Sequence, residues 1–277
     1  MKKNIYDKTI EDFGEEWNLY NYSNHDIETE KIFKDYFDIF PWDRKKNAEL
    51  NCLDLGCGTG RWSKILSRHV KQILLMDPSS KALNIARQNL SGIKNVNFLN
   101  SKFQDAEFKN ENFDFVFSLG VLHHMDNILD QLKKINKILK SEGFVLIYLY
   151  YRFDNKSFLF KLISKIADLM RKLICNFPFR IKKTISIIIA TIIYWPLTII
   201  YKFLNKFGIK TSHLPLAYYT DKSFYVMKTD SLDRFGTKVE NRFLKSEIKD
   251  LLEKSGFNKI IFSDKKPYWH VIAYKKT

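Results

Sequence analysis

LDLGCGTGRW, residues 53 to 62, joins an apolar strand to the start of a helix through a turn that holds three glycines. Gly56, Gly58 and Gly60 permit a tight turn, let a ligand approach the backbone closely and present amide groups at a helix N-terminus. The dinucleotide fingerprint G-x-G-x-x-G would need glycine where Arg61 stands, and no G-x-x-x-x-G-K-[ST] occurs, so nicotinamide and phosphate-loop readings weaken. Asp77 closes the next strand 21 residues after Gly56, where an acidic side chain can accept both hydroxyls of a ribose. Loop and acid together describe a nucleoside pocket.

Outward from this turn, short apolar runs alternate with helical patterns. LNCLDL (50 to 55), QILLMD (72 to 77), NVNFLN (95 to 100), FDFVFSL (113 to 119) and GFVLIYLYY (143 to 151) read as strands. SKALNIARQNL and ILDQLKKINKILK, with apolar residues three and four apart, read as helices, and Gly143 is a plausible stop for the second. Such alternation predicts an α/β fold, a parallel sheet with helices on both faces. The rhythm halts at Tyr151 and resumes near Arg242 with the amphipathic FLKSEIKDLLEKSGF. Two further strands, 258 to 264 and 270 to 276, are joined by a short turn, which favours an antiparallel pair.

LDLGCGTG, ILLMDPS, FDFVFSLGVLHH and LKKINKILKSEGFVLIYLY together resemble the class I S-adenosylmethionine-dependent methyltransferases of the bacterial small-molecule, methyltransferase-11-like type. FGEEWNLY and NRFLKSEIKDLLEKSGF on the flanks are similar to segments of the same group. The resemblance implies a Rossmann-like, seven-stranded sheet with six parallel strands and a reversed seventh, interrupted here by a helical insertion after strand 5. The domains expected are a helical cover (1 to 49), a cofactor-binding core (50 to 151), a basic and apolar insertion (152 to 215), and a C-terminal helix with two strands (216 to 277).

Carried over by position, the resemblance implies a cofactor-binding set of Asp54, Gly56, Cys57, Gly58, Asp77, Pro78, Phe103, Gln104 and Leu119. Within it, Asp54, Gly56 and Gly58 would hold the methionine part, Asp77 the ribose, and Leu119 a backbone contact near the amino group. Lys102 stands where relatives place an Asp that reaches the adenine, and lysine cannot accept that hydrogen bond. Gln104, Asp105 or the backbone of Phe103 would have to substitute. His123 and His124 follow the fourth strand at the ligand-binding edge and are the candidate bases for an acceptor that must lose a proton. Trp17, Tyr20, Tyr22 and His25 in the cover either line an acceptor pocket or pack on the sheet. No H-E-x-x-H, paired Cys and His at ligand spacing, or carboxylate cluster points to a metal.

Three cysteines without a C-x-x-C pair argue against a disulfide framework and a zinc ribbon, and the acidic N-terminus lacks a signal-peptide core; both fit a cytoplasmic protein. Net charge is +15, and between Tyr151 and Pro215 twelve Lys or Arg face two acids. That region contains TISIIIATIIYWPLTIIY (184 to 201), eighteen residues without a charge, roughly 27 Å long as a helix against a ~30 Å hydrocarbon core. A single crossing would put the last two strands across the membrane from the sheet they complete. Pro196 also disfavours one straight helix. SFLFKLISKIADLMRKLIC (157 to 175) sets Leu159, Leu162, Ile163, Ile166, Met170 and Leu173 on one helical face and Lys161, Lys165, Asp168 and Lys172 on the other. A hairpin, a surface-lying helix or a lid packed over the pocket stays open for the run, and for the two helices together the readings are an interfacial contact with an anionic membrane or a cap whose apolar sides meet each other.

The function expected is transfer of a methyl group to an oxygen of a glycan, lipid-linked saccharide or similar metabolite. The alternative acceptor is a membrane quinone or lipid. RNA is disfavoured because the basic region is fused to apolar runs rather than stacking platforms, and a non-catalytic cofactor-binding scaffold has only Lys102 in its favour. The location expected is the cytoplasm, peripheral on the inner face of the membrane.

Overall fold

A computed structural model describes residues 2 to 276. Seven strands form one sheet: β1 (Asn51–Leu55), β2 (Gln72–Asp77), β3 (Val96–Asn100), β4 (Phe113–Leu119), β5 (Leu139–Tyr148), β6 (Phe257–Phe262) and β7 (His270–Lys275). Their order is β3-β2-β1-β4-β5-β7-β6, parallel except that β7 runs antiparallel to both neighbours. This is the six-plus-one sheet that the motifs implied. The strand order reverses between β1 and β4, so their carboxyl ends open the crevice where ligands of such sheets bind.

The chain forms two compact units, Lys2–Arg152 with Val239 onward, and Phe153–Lys238. In the first, one face of the sheet packs on helices Ile128–Ile138 and Lys245–Lys254, whose Leu132, Ile135, Ile248 and Leu252 are fully buried against Val116, Val145 and Val271. The other face is aromatic. Helix Asp26–Tyr36 and the turn after it place Phe33, Phe37 and Phe40 over the sheet, with Phe37 5.8 Å from Phe117 and Phe40 5.0 Å from Phe115. The Trp, Tyr and Phe content of the N-terminal cover is explained largely by this layer. Asp38 fastens it, accepting from His270 Nε2 (2.7 Å) and Ser263 Oγ (2.8 Å) beside the last two strands.

One boundary differs from the sequence reading. The helix expected through Lys140 ends at Ile138, and β5 begins at Leu139, which pairs with Phe113. Gly143 therefore sits inside the strand, where a Cβ would lie 2.9 Å from the Lys140 carbonyl oxygen.

The second unit is helical: Phe158–Ile174, a continuous helix over Phe179–Lys206, and Phe224–Gly236. Pro196 does not break the long helix. A π turn over Ala190–Tyr194 widens it just where the proline ring would meet the carbonyl four residues back, and Pro196 falls in the first turn of the α-helical stretch that follows. Helix Phe224–Gly236 packs against both others, with Val226, Met227, Leu232 and Phe235 buried. Its C-terminal carbonyls are capped by buried cations: Lys182 Nζ donates to Gly236 (3.2 Å), and Arg171 Nη1 to Thr237 (3.0 Å).

Phe37 is 1% exposed and touches Phe33, Phe40 and Phe117. Phe37→Ala should therefore cost about 3–5 kcal/mol, read from urea unfolding followed by tryptophan fluorescence. A loss below about 1 kcal/mol would mean that the aromatic layer is not a packed core.

Candidate functional site

The glycine turn is built by the strands beneath it. Gly56 and Cys57 donate their amides to the Met76 carbonyl at 2.8 and 3.0 Å, which pins the turn to the end of β2. Gly56, Gly58 and Gly60 all have positive φ. At Gly56 a Cβ would also stand 2.5 Å from Val121, in the turn after β4, so glycine is required there twice over.

Two buried carboxylates flank this turn. Asp77, 8% exposed, accepts from the Gly58 amide at Oδ2 (2.9 Å) and from the Ser79 amide at Oδ1 (2.8 Å). Each oxygen retains lone-pair capacity for one further donor, so the carboxylate can take two hydroxyls side by side. Asp54, 2% exposed, accepts from Ser63 Oγ at 2.6 Å. Burial pushes Asp54 up to about 7, against the opposing Ser63 hydrogen bond and with some help from the Asp77 charge. Burial likewise pushes Asp77 up to about 6, against its two amide bonds. Two carboxyls held this far above their usual range call for cationic or hydroxyl-bearing ligand groups. Cys57 is buried in the same turn, its thiol pushed up by burial, and has no nucleophilic character there.

At the end of β4, Leu119 leads into Gly120 and a turn bearing both histidines. His124 donates Nδ1–H to the Val239 carbonyl, which leaves the lone pair on Nε2. His123 is fully buried, stacked on Tyr150 at 3.9 Å, and burial holds its pKa well below the ordinary histidine value, so it is neutral. Asn241 clamps the turn by donating its amide (3.2 Å) and Nδ2 (3.0 Å) to the His123 carbonyl. Beside it, Arg242 pairs with the buried side chain of Glu240 at 2.6 Å. The segment 239 to 242 thus positions a turn more than a hundred residues earlier, and nothing local in either stretch announces it.

The loop after β3 is arranged differently. Phe103 is buried in the core, while Gln104 and Asp105 are exposed. Lys134 Nζ gathers the carbonyls of Phe103 (2.6 Å), Gln104 (3.1 Å) and Ala106 (2.7 Å). Lys102 pairs with Asp7. Pro78, half-buried, sits beside Asp77.

The N-terminal helix Lys2–Leu19 lies across these strand ends. Asp7 meets Lys102 after β3, Gly14 backs on Ser79 after β2, Trp17 abuts Gly58 after β1, and Phe13 stands 4.9 Å from the His124 ring after β4. Arg61 stacks over Tyr22 and Trp62 at 4.3 and 4.4 Å, and Tyr20 and Tyr22 are buried. His25 lies 6.3 Å from Tyr22 and 4.0 Å from Glu28. A helical cover over residues 1 to 49 was expected, but the course of this helix across the strand ends was not. Among the described residues no group of three or more His, Cys, Asp or Glu is arranged to hold a metal ion.

Residues 53–147 match the family model described as a methyltransferase domain. A demethylmenaquinone methyltransferase of Staphylococcus aureus is 24% identical over 131 residues, 46% of this chain and 51% of that protein. A probable S-adenosylmethionine-dependent methyltransferase of Saccharomyces cerevisiae is 28% identical over 109 residues, 38% of this chain and 37% of its own length. The matched part thus spans about half or less of these curated relatives. Among solved structures, a presumed methyltransferase from Bacillus halodurans superposes with a TM-score of 0.52 at 14% identity, covering 88% of this chain and 99% of that one, which establishes the fold. The resemblance carried by the motifs therefore holds in the matched segment and in the sheet. S-Adenosylmethionine is the cofactor whose groups suit this site: paired ribose hydroxyls for Asp77, and a cationic ammonium and sulfonium beside two raised carboxyls.

Because both carboxyls are raised on folding, the folded chain binds more protons than the unfolded one between the ordinary carboxylate range and about 7. They oppose folding increasingly as pH rises through that window. Asp54→Asn removes one of them, so its melting temperature relative to the parent should climb from about pH 4 to about pH 7. A pH-independent difference in scanning calorimetry would show that Asp54 is not the raised group.

Proposed function

We propose that this protein is an S-adenosylmethionine-dependent methyltransferase acting on an oxygen of a small amphiphilic acceptor, such as a glycan, a lipid-linked saccharide or a related metabolite, at the inner face of the cytoplasmic membrane. The observation that carries the reading is the pair of buried carboxylates, Asp54 and Asp77, flanking a glycine turn at the carboxyl ends of β1 and β2. When bound, the cofactor supplies an electrophilic methyl carbon on a positively charged sulfur. In this reading Asp77 grips the ribose, and Asp54 with Gly56 and Gly58 surrounds the methionine end. Cys57 is the small residue the crowded turn admits, and Leu119 offers its backbone near the amino group. Pro78, Phe103 and Gln104 bound the adenine side, where the loop carbonyls held by Lys134 keep a fixed path.

The rest is positioning, since methyl transfer is a direct displacement and well-held geometry alone can supply about 7–11 kcal/mol. Helix Lys2–Leu19 excludes water from the strand ends. His124, with its Nδ1–H fixed on Val239, would offer Nε2 as the base for the acceptor proton, and neutral His123, stacked on Tyr150 and 4.0 Å from the His124 ring, would keep that ring in place. A membrane quinone is the second reading, favoured by the match to a demethylmenaquinone methyltransferase.

Two substitutions separate the roles. Asp77→Asn should weaken S-adenosylmethionine binding by about 10–100-fold in titration calorimetry, since a carboxylate that accepts two hydroxyls is lost. Affinity in the parent should rise as pH increases through about 6, with proton release on binding, because the cationic ligand favours the ionised carboxyls. His124→Gln should leave binding intact and lower acceptor-dependent formation of S-adenosylhomocysteine by roughly 10²–10⁴-fold. If the parent fails to bind the cofactor at physiological concentration, the methyltransferase reading is wrong. Binding without transfer to any saccharide or quinone acceptor would leave a cofactor-binding scaffold.

A further inference from the structure

The helical unit Phe153–Lys238 leaves two stripes of apolar residues exposed. In helix Phe158–Ile174 the packed edge is Ala167, Arg171 and Ile174, whereas Phe158, Leu159, Ile166, Leu169 and Leu173 are exposed, Phe158 by 83% and Leu173 by 71%. At the helical period those five fall within about 100° of the circumference, a continuous outward stripe. The long helix Phe179–Lys206 repeats the arrangement. Ile189, Ala190, Tyr194, Thr198 and Tyr201 are buried, while Ile188, Ile192, Trp195, Ile199 and Phe203 recur three to four apart on the exposed side. Only 33% of its most apolar window is buried. Of the two arrangements open from sequence, apolar sides meeting each other is therefore not the one adopted.

We infer that these two exposed faces dock in the plane of an anionic lipid leaflet. Charge identifies the occupant. Lys161, Lys165 and Lys172 are exposed along the border of the first stripe; Arg180 marks the start of the second, and Lys202, Lys206 and Lys210 its end. Asp168, one of only two acids between Tyr151 and Pro215, is already paired with Arg171 and Lys172. A second copy of the chain would bring the same surplus of cations against itself, whereas acidic headgroups neutralise it. An apolar face with exposed Trp195 and Phe203, rimmed by lysines whose stems reach past the apolar residues, is the composition of a helix seated about 5–10 Å into the headgroup boundary.

The long helix is long and apolar enough to cross a bilayer by length and composition. Chain connectivity selects the in-plane seat. Arg152 and Phe243, on either side of the inserted unit, are joined by an amide-to-carbonyl hydrogen bond of 2.9 Å, and β7 pairs with β5. One crossing would have to be matched by a return crossing. The two remaining long helices of the unit cannot provide it: Phe158–Ile174 carries five charged residues, and Phe224–Gly236 is buried within the unit.

This docking surface deepens the membrane-facing part of the function proposed above and stands apart from its chemistry. The test is flotation of the full chain with vesicles of phosphatidylcholine alone and of phosphatidylcholine with about one third phosphatidylglycerol, at low and high salt. Binding should require the anionic lipid and weaken with salt. Ile166→Glu combined with Leu169→Glu, both at exposed positions, should reduce vesicle binding by about tenfold or more with an unchanged melting curve. Replacing Lys161, Lys165 and Lys172 with glutamine should remove the preference for anionic lipid. An absence of flotation with either vesicle overturns the inference. So does a dimer in sedimentation velocity that the paired glutamates dissociate, since a second copy would then own the face. Cofactor affinity of the same variants, measured without vesicles, should be unchanged, so a failure of the surface is distinguishable from a failure of the methyl-transfer reading.

Discussion

The Asp77 carboxylate is the interaction on which the site depends. It takes the Gly58 amide on one oxygen and the Ser79 amide on the other, and so ties the glycine turn after β1 to the helix start after β2. Two amide hydrogen bonds do not offset full burial of the charge, which is why the group stays raised to about 6. The same carboxylate is therefore both the structural staple of the turn and an acceptor with unspent capacity. Moving it would release Gly58, whose close approach by Trp17 couples the turn to the N-terminal helix.

A second constraint comes from the sheet. β5 and β7 pair antiparallel from Phe144 with Tyr274 to Tyr148 with His270. A segment inserted between them has to leave and return on one side, and this is why the proposed docking seats an apolar run of spanning length along a surface. The helical unit is consistent with that role internally. Its polar interior contacts include Arg171 and Lys182 on the terminal carbonyls of helix Phe224–Gly236, and two stripes of its aliphatic residues face outward.

Much of this was legible in the sequence, for local reasons. Strand positions and the glycine turn depend on apolar runs and residue types within ten positions of each other, and the antiparallel end pair followed from a connection too short for a crossover. What was not legible depends on contacts between distant segments. Asn241 and Val239 hold the His123–His124 turn, and Phe13 and Trp17 reach the ends of β4 and β1, without any pattern that announces the partner. The start of β5 was missed because Leu139 satisfies a helical period as well as a strand, and pairing with Phe113 decides between them. Pro196 misled because a one-residue widening of the preceding turn absorbs a clash that sequence rules charge to the helix.

Under the proposed function, the two units would divide the problem of methylating an amphiphile. A water-soluble, positively charged donor needs buried anionic groups, and in that reading Asp54 and Asp77 would supply them at the sheet. An acceptor anchored in lipid is dilute in water and concentrated at the bilayer, so an enzyme seated on the same surface meets it at a far higher local concentration without any additional contact to the acceptor itself. For a freely soluble metabolite that seating would bring no gain, and the exposed stripes of Phe158–Ile174 and Phe179–Lys206 would carry only the aggregation hazard of a large apolar patch. Buried acids in the sheet unit and exposed aliphatic stripes rimmed by lysine in the helical unit are the two features that the proposed acceptor, a polar group carried on a lipid, would require.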